Sequence, residues 1–130
     1  MKVLLVKLSS LGDVVHALPV VQDILAAMPH TQIDWVVEKS FAPLLSESAG
    51  LHRVIPCQIW RWRKSPFSVA TRQEWRAFKA DLQREKYDVV IDLQGLTKSA
   101  LVARLAQTSA GGKRYAMANQ TEGSAYEAPT

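Results

Sequence analysis

The sequence predicts an α/β domain with a doubly wound parallel sheet, and three observations carry that expectation. Short runs of consecutive apolar residues, VLLV and DVVIDL among them, suit strands covered on both faces. Segments with a helical apolar period lie between those runs. The two kinds alternate along the chain, and alternation of this sort favours parallel strands joined by helical crossovers.

Taken in order, Lys2 to Leu8 reads as the first strand and a central one. After SSLG, apolar residues fall at Val14, Leu18, Val21, Leu25 and Met28, a helical period closed by Pro29. Pro19 lies inside that period without an amide to donate, which predicts a kink or a fresh first turn there. Ile33 to Val37 is the second strand, and Ser40 is placed to cap a short helix carrying Pro43 in its first turn. Arg53 to Pro56 is a third, shorter strand. Gln58 to Val69 reads as a long loop, because no period survives among its tryptophans, basic residues and Pro66. Thr71 and Glu74 have capping-box spacing ahead of a surface helix whose stripe is Trp75, Phe78 and Leu82 and which ends near Lys86. Asp88 to Leu93 repeats the buried-strand pattern, Gln94 and Gly95 turn the chain, and Leu96 to Ala106 is the next helix. Gly111 and Gly112 break the chain before a weak strand, KRYAM. One domain over residues 1–118 is expected, followed by an unpatterned tail over 119–130.

At 130 residues, 48% hydrophobic and 22% charged, the chain has the balance of a globular domain large enough for a core. Its single cysteine, Cys57, excludes an internal disulfide, which fits a reducing compartment; Cys57 itself reads as a small core residue rather than a nucleophile. Lys7 interrupts the first apolar run, so the start has neither a signal-peptide core nor a spanning segment, and any membrane contact is expected to be peripheral. The net charge of +4 favours anionic partners such as nucleic acid, phosphorylated lipid or nucleotide. The densest basic stretch, RWRK at Arg61 to Lys64, is open to two readings, a solvated face and a binding surface.

The stretches SSLGD, QIWRWRK and DLQGLTK all follow predicted strands and converge on the rim where doubly wound sheets bind ligands. Gly12 permits close backbone approach, and free amides at the following helix start can receive an anion. Neither a G-x-G-x-x-G nor a G-x-x-x-x-G-K-[ST] motif is present, which disfavours the usual dinucleotide and P-loop sites. Asp13 either complements the helix dipole or serves as a general base at the mouth of the sheet. The dipole weakens a carboxylate as a base, and an anionic acceptor seated nearby by the basic loop would restore that basicity.

MKVLLVKLSSLGDVVHALPVV, followed by DWVVEKSFA, RVIP, RWRK and YDVVIDLQGLTKSAL, resembles the N-terminal domain of the ADP-heptose-dependent lipopolysaccharide heptosyltransferases, closest to the heptosyltransferase I branch. The likeness runs in register from Met1 to about Ala106 and continues more loosely beyond. It implies a GT-B glycosyltransferase with two Rossmann-like domains, metal-independent and inverting, needing no cofactor beyond its donor, ADP-heptose. It places the catalytic base at Asp13, acting on a hydroxyl of Kdo in Kdo2-lipid A, and the loop holding the reacting groups at Ser9, Ser10 and Gly12. Arg61, Arg63 and Lys64 match the family's acceptor-binding cations, with Gln94 and Lys98 as further candidates, and Trp60 and Trp62 could pack on sugar or at a bilayer surface. The family works in the cytoplasm at the inner membrane of Gram-negative bacteria.

The family has two domains, whereas this chain has length for one. The expectation is therefore an acceptor-binding domain or fragment, inactive alone, with the donor held mainly by an absent C-terminal domain and the oligomeric state open. Nucleic acid is not an expected partner. Two alternatives remain at this stage, a basic nucleic-acid-binding module and a module for anionic membrane surfaces, both resting on the WRWRK cluster.

Overall fold

The computed structural model describes residues 1–9, 11–46, 50–94, 97–117 and 125–127, side chains excepted at 97, 98, 117 and 125–127. Its strands are β1 (Lys2–Val6), β2 (Gln32–Glu38), β3 (Leu51–Cys57), β4 (Lys86–Asp92), β5 (Gln107–Met117) and β6 (Ala125–Glu127). The helices are α1 (Leu11–Ala27), α2 (Ala42–Ser46), α3 (Ile59–Lys64), α4 (Val69–Leu82) and α5 (Thr97–Leu105), with a 3-10 turn at Lys39–Phe41. The sheet order is β3-β2-β1-β4-β5-β6; β1 to β5 run parallel and β6 pairs antiparallel to β5. The doubly wound expectation holds, and the order places β1 beside β4, where the winding reverses direction.

Each face of the sheet carries its own core. Leu4, Val6, Val36 and Ile55 pack with α3, α4 and α5 through Trp62, Phe78, Leu82 and Val102. On the other face Val3, Leu5, Ile33, Trp35 and Val37 pack under α1 and α2 through Val14, Ala17, Val21 and Leu45. This explains the consecutive apolar runs, since alternate side chains of β1 point to different cores.

Several local expectations are corrected. Gln58–Val69 is not one long loop, because Ile59 and Trp62, three residues apart, both turn into the core and wind α3 between them. Trp62 meets Trp75 and Phe78 at centroid distances of 5.7 and 5.5 Å. The cap of α4 is Ser68, whose hydroxyl accepts from the Thr71 amide at 3.1 Å, so Thr71 lies inside the helix and Glu74 is free of any capping-box duty. Ser40 sits within the 3-10 turn instead of capping a helix. Pro19 lies inside the continuous helix α1, so no fresh first turn begins there, and its missing amide leaves the Val15 carbonyl without the usual partner.

Gly111 and Gly112 do not end a segment but lie inside β5. Pairing with β4 passes from Tyr87↔Thr108 directly to Val89↔Lys113, so residues 109–112 bulge from the ladder. Gly111 has φ +80°, and a Cβ on Gly112 would lie 2.8 Å from the Tyr87 carbonyl oxygen. Strand β6 lies in the stretch read as unpatterned; edge pairing by backbone hydrogen bonds needs no apolar alternation.

At the amino end of the sheet the buried Asp34 ties three strands and a helix together. It accepts from Arg53 Nε at 3.1 Å and Tyr87 Oη at 2.5 Å, and its Oδ1 lies 2.9 Å from His52 Nδ1. Arg53 also donates to the Asp81 carbonyl at the end of α4. Burial and then the Asp34 carboxylate push the Tyr87 phenol well above its ordinary value, keeping it a donor. Asp34→Ala is expected to cost about 2–4 kcal/mol, because it strands hydrogen-bonded partners of a buried charge; urea unfolding of the variant against the parent chain checks this.

Candidate functional site

The carboxyl edge at the β1–β4 switch is built from backbone outward. The β1 strand is followed by Lys7, Leu8 and Ser9, which cross between the ends of β2 and β4. Lys7 N donates to the Val36 carbonyl at 3.3 Å, Glu38 N donates to the Leu8 carbonyl at 3.0 Å, and Leu93 N donates to the Val6 carbonyl at 3.0 Å. Trp35 Nε1 donates to the Lys7 carbonyl at 3.0 Å. Two successive amides beyond β1 converge on one side chain: Leu8 N and Ser9 N donate to Gln94 Oε1 at 2.7 and 3.1 Å.

Gln94 is only 5% exposed and is itself held from β4. Its amide donates to Asp92 Oδ1 at 3.0 Å, while Ser99 Oγ, fully buried on α5, donates to Asp92 Oδ2 at 3.0 Å. The DLQ-x-x-x-x-S spacing thus joins β4, the β1–α1 junction and the first turn of α5. Sequence reading assigned Gln94 to the acceptor; its oxygen faces the loop backbone, an arrangement suited to fixing the loop's shape.

Lys7 is the residue that sequence reading missed, having counted only as an interruption of an apolar run. It is 7% exposed, and its Nζ lies 3.4 Å from the Leu93 carbonyl, a long hydrogen bond at the strand edge. A lysine in an otherwise apolar, two-face-covered strand is itself the signal that could have revealed it.

From this frame α1 emerges with Gly12 and Asp13 exposed in its first turn. A Cβ on Gly12 would meet nothing of the described chain within 4 Å, so the fold itself does not demand glycine there. Ser9 is half-buried, and Ser10 lies outside the described residues. Lys98 belongs to the first turn of α5, with its side chain outside the description.

The basic cluster follows β3 at the same edge of the sheet, and helix formation sorts its residues. Trp62 enters the core, 8% exposed, which removes it from the residues available to sugar or bilayer; Trp60 remains 57% exposed. Arg61 donates to Glu74 Oε2 and Gln58 Oε1, each at 2.9 Å, while Arg63 and Lys64 are exposed on the last turn of α3. Phe67, 83% exposed, and Val69 extend the surface beyond them. Cys57 is buried beneath α3, and that burial pushes its thiol far above the ordinary range, which makes it a poor nucleophile.

Asp34, His52 and Glu85 have ligand atoms within 4.8 Å of one another, a spacing compatible with a cation. They lie at the amino end, away from this edge, and the Arg53 guanidinium already supplies positive charge to Asp34. The cluster reads as part of the strand-tying network described above.

Known proteins resemble the chain in sequence and in fold. The profile of glycosyltransferase family 9 (heptosyltransferase) matches residues 75–128. Lipopolysaccharide heptosyltransferase 1 of Escherichia coli K12 is 54% identical over 107 residues, covering 82% of this chain and 34% of that protein. The protein of the same name from Pseudomonas aeruginosa is 51% identical over 104 residues, covering 80% and 29%. In structure, the chain is similar to E. coli heptosyltransferase WaaC with ADP, with a TM-score of 0.83 and 49% identity over 90% of this chain and 36% of that one. E. coli ADP-heptose lps heptosyltransferase II is more distant, with a TM-score of 0.60 and 27% identity over 81% and 28%. The chain spans about a third of the length of these relatives. The likenesses give the nucleic-acid and general membrane-surface alternatives no support. By sequence and by fold alike, the chain is similar to the N-terminal part of heptosyltransferases of glycosyltransferase family 9, lipopolysaccharide heptosyltransferase 1 among them.

Proposed function

We propose that this chain is the acceptor-side domain of an inverting glycosyltransferase that moves heptose from ADP-heptose to Kdo of Kdo2-lipid A. The observation carrying this reading is the braced β1–α1 junction, where buried Gln94, Asp92 and Trp35 hold a loop that presents exposed Asp13 beside open space at Gly12. The Asp13 carboxylate takes the proton from a Kdo hydroxyl while that oxygen bonds to the anomeric carbon of heptose from the face opposite ADP. The bond from that carbon to the diphosphate oxygen breaks, and ADP leaves with the electron pair. No metal takes part in this scheme.

Supporting roles combine position with the family likeness, which alone carries those of Ser10 and Lys98. Ser9, Ser10 and Gly12 line the reacting groups, and glycine at position 12 serves the ligand, since the fold leaves its side open. Lys7 supplies positive charge at the strand edge. Arg63 and Lys64, with Arg61 in exchange for its contact to Glu74, receive the carboxylates and phosphates of the acceptor, and Lys98 is a further cation for it. Trp60 and Phe67 rest against the membrane from which the acceptor is taken, giving peripheral attachment at the cytoplasmic face of the inner membrane. No described helix is long and apolar enough to cross a membrane. Residues 1–118 form the body of the acceptor domain, to whose edge strand β6 adds, and most contacts to ADP-heptose fall to a second domain.

In a protein of the relatives' full length, Asp13→Asn should lower kcat about 10²–10⁴-fold, with acceptor affinity within a few-fold of the parent. Steady-state kinetics with Kdo2-lipid A test this, and near-parental kcat would remove Asp13 as the base. The pair Arg63→Ala with Lys64→Ala should weaken binding of Kdo2-lipid A about ten-fold or more, with a smaller effect on lipid A lacking Kdo; detergent titrations of both lipids provide the comparison. Gln94→Leu should speed hydrogen exchange at the Leu8 and Ser9 amides and lower kcat, whereas Gln94→Glu, which retains an acceptor oxygen, should restore much of both.

A further inference from the structure

A second polar cleft opens at the amino end of the sheet, remote from Asp13. It has a volume of about 530 Å³ and lies where the last turns of α4 and α5 meet the first residues of β4 and β5. Lys79, Lys86, Arg104 and Arg114 line it together with Gln83 and Thr108, and none of its lining residues is acidic. Helix α4, with 14 residues, spans about 21 Å from the α3 edge to this cleft.

Cations at helix C-termini ordinarily answer the exposed carbonyls. Here the last carbonyls at the end of α5 already have partners. Arg114 donates to the carbonyls of Ala103 and Ala106 at 3.1 and 2.7 Å, and Gln83 Nε2 donates to that of Leu105 at 2.8 Å. Arg114 and Gln83 are therefore fixed in place, and Thr108 lines the cleft with them. Lys79, Lys86 and Arg104 bring charge from a helix, a strand and a second helix that exceeds what the helix ends use.

We propose that this cleft binds a small soluble anion carrying more than one phosphate, separate from the reacting substrates. Separated cations on rigid elements suit a multiply charged ligand better than one monoanion, and guanidinium with ammonium groups is the usual combination for phosphate. On the proposed reading that the exposed Trp60 and Phe67 meet the membrane, a soluble ligand is favoured over a lipid headgroup, because those side chains lie at the opposite end of the sheet. One flat bilayer does not reach both ends of the domain.

The test titrates this chain with inorganic pyrophosphate and follows amide resonances, with vesicles of phosphatidylglycerol and phosphatidylcholine as a second arm. Pyrophosphate is expected to shift resonances in residues 79–86 and 104–108, and Lys86→Ala with Arg104→Ala to weaken binding about ten-fold or more. Lys86→Arg should retain binding within about three-fold, and the charge-matched pair Lys39→Ala with Arg72→Ala should leave it within about two-fold. Absence of pyrophosphate binding overturns the proposal. So does equal weakening by the two double variants, which would mean attraction to net charge alone, and so does association with vesicles but not with pyrophosphate.

Discussion

One shared acceptor, Gln94 Oε1, governs the end of β1, and the shape of the candidate site depends on it. Leu8 and Ser9 leave the ladder between β2 and β4, the first buried and the second half-buried, and an unmet buried donor costs about 1–3 kcal/mol. One side chain meets both. Its own position is set by Asp92, which also holds Ser99 at the start of α5. The junction is thereby fixed from β4 and α5, elements more than eighty residues distant in sequence. A carboxylate displayed on α1 inherits the rigidity of the sheet core.

The two ends of the sheet carry different chemistry. The carboxyl end presents Asp13 and α3, with buried polar groups serving as braces. At the amino end, Asp34 joins β2, β3 and β4 through Arg53 and Tyr87, and the basic cleft lies between α4 and α5. Parallel topology produces this division, since every crossover helix begins near one edge and ends near the other.

The stretch IWRWRK illustrates how a helix assigns work within one short segment. Ile59 and Trp62 are a turn apart and anchor the core, where Trp62 packs with Trp75 and Phe78. Trp60, Arg63 and Lys64 face outward as a result, and Arg61 reaches Glu74 on α4. Composition alone treats these residues as one basic and aromatic cluster. Packing divides them into an anchor, a bridge between helices and a display surface.

The amino-acid sequence by itself determined the α/β class, the parallel strands near Lys2–Leu8, Ile33–Val37 and Asp88–Leu93, and the prominence of SSLGD after the first strand, because apolar period and local turn residues encode these directly. It also carried the family likeness, through motifs kept in order. Tertiary structure alone decided that Gln58–Val69 contains a helix, that Ser68 caps α4, and that the paired glycines form a bulge within β5. It decided too that Gln94 braces a loop and that Lys7 sits buried at the rim. The physical reason is range: these outcomes depend on side chains and carbonyls brought together across the β1–β4 seam or under α4, and a six-residue helix such as α3 gains its stability from tertiary contacts that no local pattern records.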